Sequence, residues 1–196
     1  IRVATDRAGN VIGPGDMAAD RIIPDCIRAL SANKEIDVRN PNAVRPWQLV
    51  LEPLAGYLWL AARMSQTGDS VYESAWNFGP SISDNQSVGN LVELLIKVWG
   101  SGSYCTPKQF DTPHEANLLS LDIEKAKEKL KWKPILDFKQ TISWTVNGYR
   151  RLFDHQQNPE AFLQTMLDII QNYTKVAVDN SLGWSAQKSL KIAKDS

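Results

Sequence analysis

The sequence predicts an α/β protein on three observations. Short extended runs alternate with longer segments whose apolar residues recur at helical spacing, glycine and proline punctuate the junctions, and 43% hydrophobic against 22% charged residues is the balance of an ordinary globular chain. That composition excludes a disordered, collagen-like or disulfide-stapled protein. The 196 residues suit one domain or one domain and part of another. With 22 basic residues matched by 22 acidic ones, no overall field draws in nucleic acid or anionic lipid, so neither is an expected partner. An anionic ligand has to be met by local side chains.

In chain order, Arg2 to Ala8 read as a strand ending at Gly9, received by a turn, Gly13-Pro14-Gly15-Asp16. Asp20 to Leu30 read as an amphipathic helix, with Ile22, Ile23, Cys26, Ile27 and Leu30 on its apolar face, Asp20 as N-cap and Pro24 in the first turn. Glu35 to Arg39 is a brief strand and Asn40 to Pro46 a loop. Val50 to Met64 is a helix apolar nearly all round, hence expected to be buried. Ser74 to Phe78 is a strand, Gly79 to Gln86 a polar loop and Ser87 to Val98 a helix. Leu118 to Leu121 is short and extended, and helices follow at Ile123 to Leu130, Phe138 to Phe153 and Pro159 to Val178. Among the seven tryptophans, Trp59, Trp99, Trp132 and Trp144 fall at core-facing positions. Positions 1–150 are expected to form the main unit, 151–184 a helical extension and 185–196 a polar tail.

Cys26 and Cys105 lie far apart without metal-ligand spacing, which suggests two buried thiols and a reducing, cytoplasmic setting. The longest apolar run is interrupted by Glu52, Pro53 and Gly56 and is too short to span a bilayer. An opening of Ile-Arg-Val-Ala-Thr, without Met or a signal region, reads as a chain cut from something longer.

Two apparent dehydrogenase signatures do not hold. Tyr104 and Lys108 have Tyr-x-x-x-Lys spacing, yet Pro107 removes the helical turn that would align them. Gly9, Gly13 and Gly15 follow a strand but not in Gly-x-Gly-x-x-Gly order. More informative is Asn10, at the carboxyl end of a strand where open α/β sheets bind ligands; its amide either donates to a phosphate or ties down the turn. Arg45, beside Pro46 and Trp47, has a planar fork suited to phosphate oxygens or to an ion pair. His114 and Glu115 either read ribose hydroxyls or form a solvated loop. His155 marks a polar helix end.

Arg7-Ala8-Gly9-Asn10-Val11-Ile12-Gly13, Arg21-Ile22-Ile23-Pro24-Asp25, the run from Arg39 to Gln48 and Pro113-His114-Glu115-Ala116 together resemble the second half of the CDP-glucose 4,6-dehydratase family in order and spacing. The resemblance spans about residues 3 to 150. Arg-Asn-Pro-Asn-Ala-Val-Arg-Pro-Trp-Gln separates this family from dTDP-glucose and GDP-mannose dehydratases, which favours a cytidine nucleotide. It implies the last strands and helices of an NAD(P)-binding Rossmann domain plus the smaller C-terminal substrate-binding lobe of an extended short-chain dehydrogenase/reductase. It also implies a hydro-lyase that converts CDP-glucose to CDP-4-keto-6-deoxyglucose and water through an internal NAD redox cycle, serving deoxysugar and surface-polysaccharide synthesis.

Carried over by position, Asn10 and Arg45 hold the diphosphate, Arg21 and Ile22 line the nucleotide pocket, Val38 packs near the base, and His114 and Glu115 approach the ribose or phosphate; Ser87 is a weaker candidate. The glycine fingerprint, the Tyr-x-x-x-Lys helix and the elimination acid and base of such an enzyme are absent from the sequence, and Gly13-Pro14-Gly15-Asp16-Met17 replaces Gly-Gly-Gly-Asp-Trp. Catalysis by this chain alone is therefore not expected, and homodimerisation is implied for the parent only. The alternatives are a non-catalytic sugar-nucleotide-binding module and a dehydratase or epimerase for another nucleotide sugar.

Overall fold

The computed structural model describes residues 1–107, 118–154 and 158–185. In chain order the strands and α-helices are β1 (Thr5–Ala8), β2 (Asn10–Ile12), α1 (Ile22–Ser31), β3 (Ile36–Asp37), β4 (Val44–Arg45), β5 (Trp47–Leu49), α2 (Leu51–Thr67), β6 (Ala75–Phe78), β7 (Gln86–Ser87), α3 (Val88–Trp99), β8 (Tyr104–Cys105), α4 (Phe138–Asp154) and α5 (Pro159–Asp179). Parallel pairs dominate: β1 with β6, β2 with β5 and β3 with β8, while β4 and β7 pair antiparallel.

The first extended run continues through Gly9 instead of ending there. It changes partner at that residue, from β6 to β5: Gly9 N–H donates to Phe78 O at 3.3 Å and Asn10 N–H to Pro46 O at 2.9 Å. The crossing is tight enough that a Cβ on Gly9 would lie 2.5 Å from Pro46 O. The expected turn lies within its predicted run, at Pro14-Gly15, where Gly15 has φ +91 and Pro14 packs on Gly148 of α4. Tyr149 of α4 fastens the same turn, its hydroxyl donating to Asp16 O at 2.6 Å.

Several boundaries differ from the sequence expectation for local reasons. α1 is preceded by Arg21, in extended conformation and without a side-chain cap, because Asp20 lies one residue too early at φ +61. The expected loop before α2 contains β4, and β5 occupies Trp47–Leu49, both too short to show a period. The segment after Leu118 is reduced to one isolated bridge from Val44 to Leu118, and Ala126–Leu130 is a π-helical turn. α2 is not buried all round: Leu54 and Leu58 lie on its exposed side.

The apolar faces of α1, α3 and α4 close on β3 and Trp47, with Cys26, Ile27, Leu91, Leu95, Ile142 and Val146 fully enclosed. A second cluster gathers Leu60, Tyr72, Trp76, Phe78, Leu130 and Trp132 under α2. Phe78 presses against α2 where Gly56 leaves room, and meets Trp132 edge-on with centroids 4.9 Å apart. Of the tryptophans expected in the core, Trp132 is fully buried and Trp59, Trp99 and Trp144 are half-buried. No helix among the described residues is long and apolar enough to cross a membrane.

One buried acid joins three elements. Glu52, in the first turn of α2, is 1% exposed; its Oε1 accepts the N–H groups of Ile135 at 3.0 Å and Leu136 at 2.8 Å, and its Oε2 accepts the Tyr173 hydroxyl of α5 at 2.9 Å. Burial raises its pKa to about 7 against these hydrogen bonds, which favour the carboxylate. Because the folded value lies above the ordinary 4.5, the stability carried by this group is complete below about pH 4.5 and falls as pH rises through 7. Denaturant midpoints from pH 4 to 8 should show that decline in the parent chain and not in Glu52→Gln, whose amide keeps one acceptor for both N–H groups and offers a donor to Tyr173. Glu52→Ala, which strands those donors, should cost about 3 kcal/mol.

Candidate functional site

The partner switch at Gly9 brings the carboxyl ends of β1, β2 and β3 around one cleft of about 660 Å³. Asn10, Val11, Ile12 and Gly13 form its floor, Arg21 to Asp25 at the start of α1 one wall, and Asp37 to Asn40 with Arg45 and Trp47 the other. Crevices at the carboxyl ends of parallel strands are where open α/β sheets take ligands, and the volume suits one of small-molecule size.

Asn10, Arg21, Ile22, Val38 and Arg45 all line this cleft, although they are scattered through the first 45 residues. Asn10 is half-buried, and its side-chain amide makes no hydrogen bond within the described residues. Arg45 is 6% exposed and its Nη1 donates to the Val44 carbonyl at 2.9 Å, so the guanidinium is held from its own backbone. Trp47 closes the wall beside it and donates from Nε1 to Gln86 O at 3.0 Å. Arg21 is exposed and bonds the Asp16 carboxylate at 2.9 Å. The Asp16 carboxyl is held below its ordinary pKa by the Ala18 N–H and then by Arg21. Ile22 is half-buried at the first turn of α1, and Val38 is 1% exposed.

Ser87 is not among the lining residues. Its Oγ accepts the Asn90 N–H at 3.1 Å and caps α3, while the next residue, Val88, reaches the cleft. His114 and Glu115 lie outside the described residues, as does His155. Tyr104 lies in β8, not on a helix, with its hydroxyl donating to Glu93 at 3.2 Å. Cys26 is buried, its thiol pKa pushed up to about 12 by burial, and Cys105 is half-buried; both are free. No group of three or more metal-ligating side chains occurs among the described residues.

Sequence reasoning missed Asp37, Arg39 and Trp47 as lining residues. The apolar-polar-apolar alternation of Ile36-Asp37-Val38 was the available signal for Asp37. Arg39 reaches Asp20 at 3.6 Å.

No protein-family model matches the chain. Over 150 residues it is 39% identical to CDP-glucose 4,6-dehydratase of Salmonella typhimurium, an alignment that takes in 76% of this chain and 42% of that protein. Among solved structures, UDP-glucuronic acid 4-epimerase of Bacillus cereus, in complex with UDP-glucuronic acid and NAD, superposes with a TM-score of 0.65 at 18% identity, over 78% of this chain and 46% of that one. dTDP-glucose 4,6-dehydratase of Bacillus anthracis, in complex with NAD, gives 0.61 at 20% identity over 78% and 46%. UDP-glucose 4-epimerase of Thermotoga maritima gives 0.61 at 25% identity over 78% and 47%.

The fold is that of the extended short-chain dehydrogenase/reductases. In sequence the chain is similar to CDP-glucose 4,6-dehydratase, and it spans less than half the length of the curated relative it matches.

The cap geometry separates Ser87 from the cleft in a measurable way. Ser87→Ala should lower stability by about 1 kcal/mol, the usual value of a lost N-cap, as read by thermal melts of the two chains.

Proposed function

We propose that this chain supplies the sugar-nucleotide-binding portion of a CDP-glucose 4,6-dehydratase, a hydro-lyase of the cytoplasm whose parent enzyme is a homodimer. The observation that carries the reading is the convergence of Asn10, Arg21, Ile22, Val38 and Arg45 on one cleft at the carboxyl ends of parallel strands. The 39% identity to a dehydratase of that name supports the choice of substrate class.

In this reading Asn10 and Arg45 take the diphosphate. A guanidinium presents paired donors to phosphate oxygens, and burial beside Trp47 keeps water from screening them. Ile22 supplies apolar surface for the nucleoside, and the base lies near Val38. Arg21 and Arg39 line the same cleft, paired with Asp16 and Asp20. His114 and Glu115 keep the ribose or phosphate role that the resemblance implies.

NAD supplies hydride transfer in such an enzyme, but the glycine-containing run of this chain does not fit its pyrophosphate. The N–H groups of Gly9 and Asn10 are committed to Phe78 O and Pro46 O, and a strand, not a helix, follows. In the proposed enzyme, therefore, NAD is held by other residues, and this chain binds and orients the sugar nucleotide.

Calorimetric titration with CDP-glucose tests the reading. The chain is expected to bind it, and Arg45→Ala to lose about 1.5–3 kcal/mol of binding free energy, the range for a hydrogen bond to a charged group. Arg45→Lys, which keeps the charge but not the fork, should fall between the two. Unchanged affinity in Arg45→Ala would remove Arg45 from the site, and absence of binding by the parent chain would overturn the reading.

A further inference from the structure

β3 ends at the cleft, which Asp37 and the following Val38 both line. Ile36 and Val38 are 2% and 1% exposed, and Asp37 between them is exposed and lines the cleft. Its Oδ1 accepts the Cys105 thiol across the β3–β8 pair at 3.3 Å. That hydrogen bond, ahead of other causes, raises the thiol's pKa to about 11, so Cys105 remains a protonated donor and adds no negative charge. A thiol is a weak donor, whereas a carboxylate offers about four lone-pair sites, so Asp37 retains acceptor capacity toward the cleft. Arg21 and Arg39 sit in the same cleft against Asp16 and Asp20, which leaves acceptor chemistry at Asp37 distinct from the cationic chemistry at Arg45.

Resting on the reading of the cleft as a nucleotide site, we infer that Asp37 selects the pyrimidine, its carboxylate accepting the exocyclic amine of cytosine. Cytosine and uracil differ at C4 in hydrogen-bonding sense: cytosine presents an amine donor, and uracil and thymine a carbonyl acceptor. A carboxylate attracts the first and repels the second, so one side chain both favours CDP and disfavours UDP and dTDP. A neutral amide discriminates poorly, since it can turn either its oxygen or its nitrogen to the ring. The neighbouring Val38, 1% exposed, holds the backbone from which Asp37 projects, its N–H donating to Cys105 O at 2.9 Å.

Affinities for CDP and UDP, measured by calorimetry on the parent chain, Asp37→Asn, Asp37→Ala and Cys105→Ala, test this, with circular dichroism reporting folding. The parent should prefer CDP by about tenfold or more, a ratio that one charge-assisted hydrogen bond sustains. Asp37→Asn should bring the ratio near one by strengthening UDP and weakening CDP, Asp37→Ala should bring it near one by weakening CDP alone, and Cys105→Ala should keep the parent's ratio. Retention of the preference in a folded Asp37 variant, or its loss in Cys105→Ala, would overturn the assignment. A parent chain that binds both nucleotides equally would overturn the assignment and leave the nucleotide site standing, whereas a parent that binds neither would overturn both.

Discussion

The passage of Gly9 against the Pro46 carbonyl is the constraint on which the cleft depends. A strand that kept one partner throughout would carry Asn10 alongside β6, away from the β4–β5 segment that contributes Arg45 and Trp47. Changing partner at Gly9 places Asn10 beside Trp47, and only a residue without a Cβ passes that close to a carbonyl oxygen. The Phe78 carbonyl anchors the crossing from below. It accepts both the Gly9 N–H and the buried amide of Gln48, at 3.3 and 2.9 Å, so β1, β5 and β6 meet at one acceptor.

What surrounds this crossing serves to hold it. The Phe78 ring is fixed by Trp132 and by the absence of a side chain at Gly56, which lets α2 lie directly on β6. The turn after β2 is pinned by Tyr149 and by Pro14 against Gly148. Glu52 locks the start of α2 to the Ile135-Leu136 segment and to α5 with three hydrogen bonds. The cleft is thus lined by short strand ends whose positions are set by helices packed behind them, an arrangement suited to a preformed site.

Much of this was legible in the sequence, and the reasons differ by element. α1, α3 and α4 announce themselves by apolar spacing because each buries a single face. β4, β5, β7 and β8 run for two or three residues, too few for a period of two to stand out, so β4 and β7 read as loop or as helix start and β5 and β8 carried no assignment. α2 was expected to be buried because composition alone does not reveal that Leu54 and Leu58 face outward. The cleft residues Asn10 and Arg45 were found from chemistry and position. Asp37 was missed because its role depends on which strand lies beside it, and the pairing of β3 with β8 joins residues 68 positions apart.

The central claim is that a cytidine sugar nucleotide lies in the cleft at the Gly9 crossing. A crystal structure of the chain grown with CDP-glucose tests it most directly. The account predicts the diphosphate against Asn10 and Arg45 and the base near Val38; a nucleotide bound elsewhere, with this cleft filled only by solvent, would contradict it.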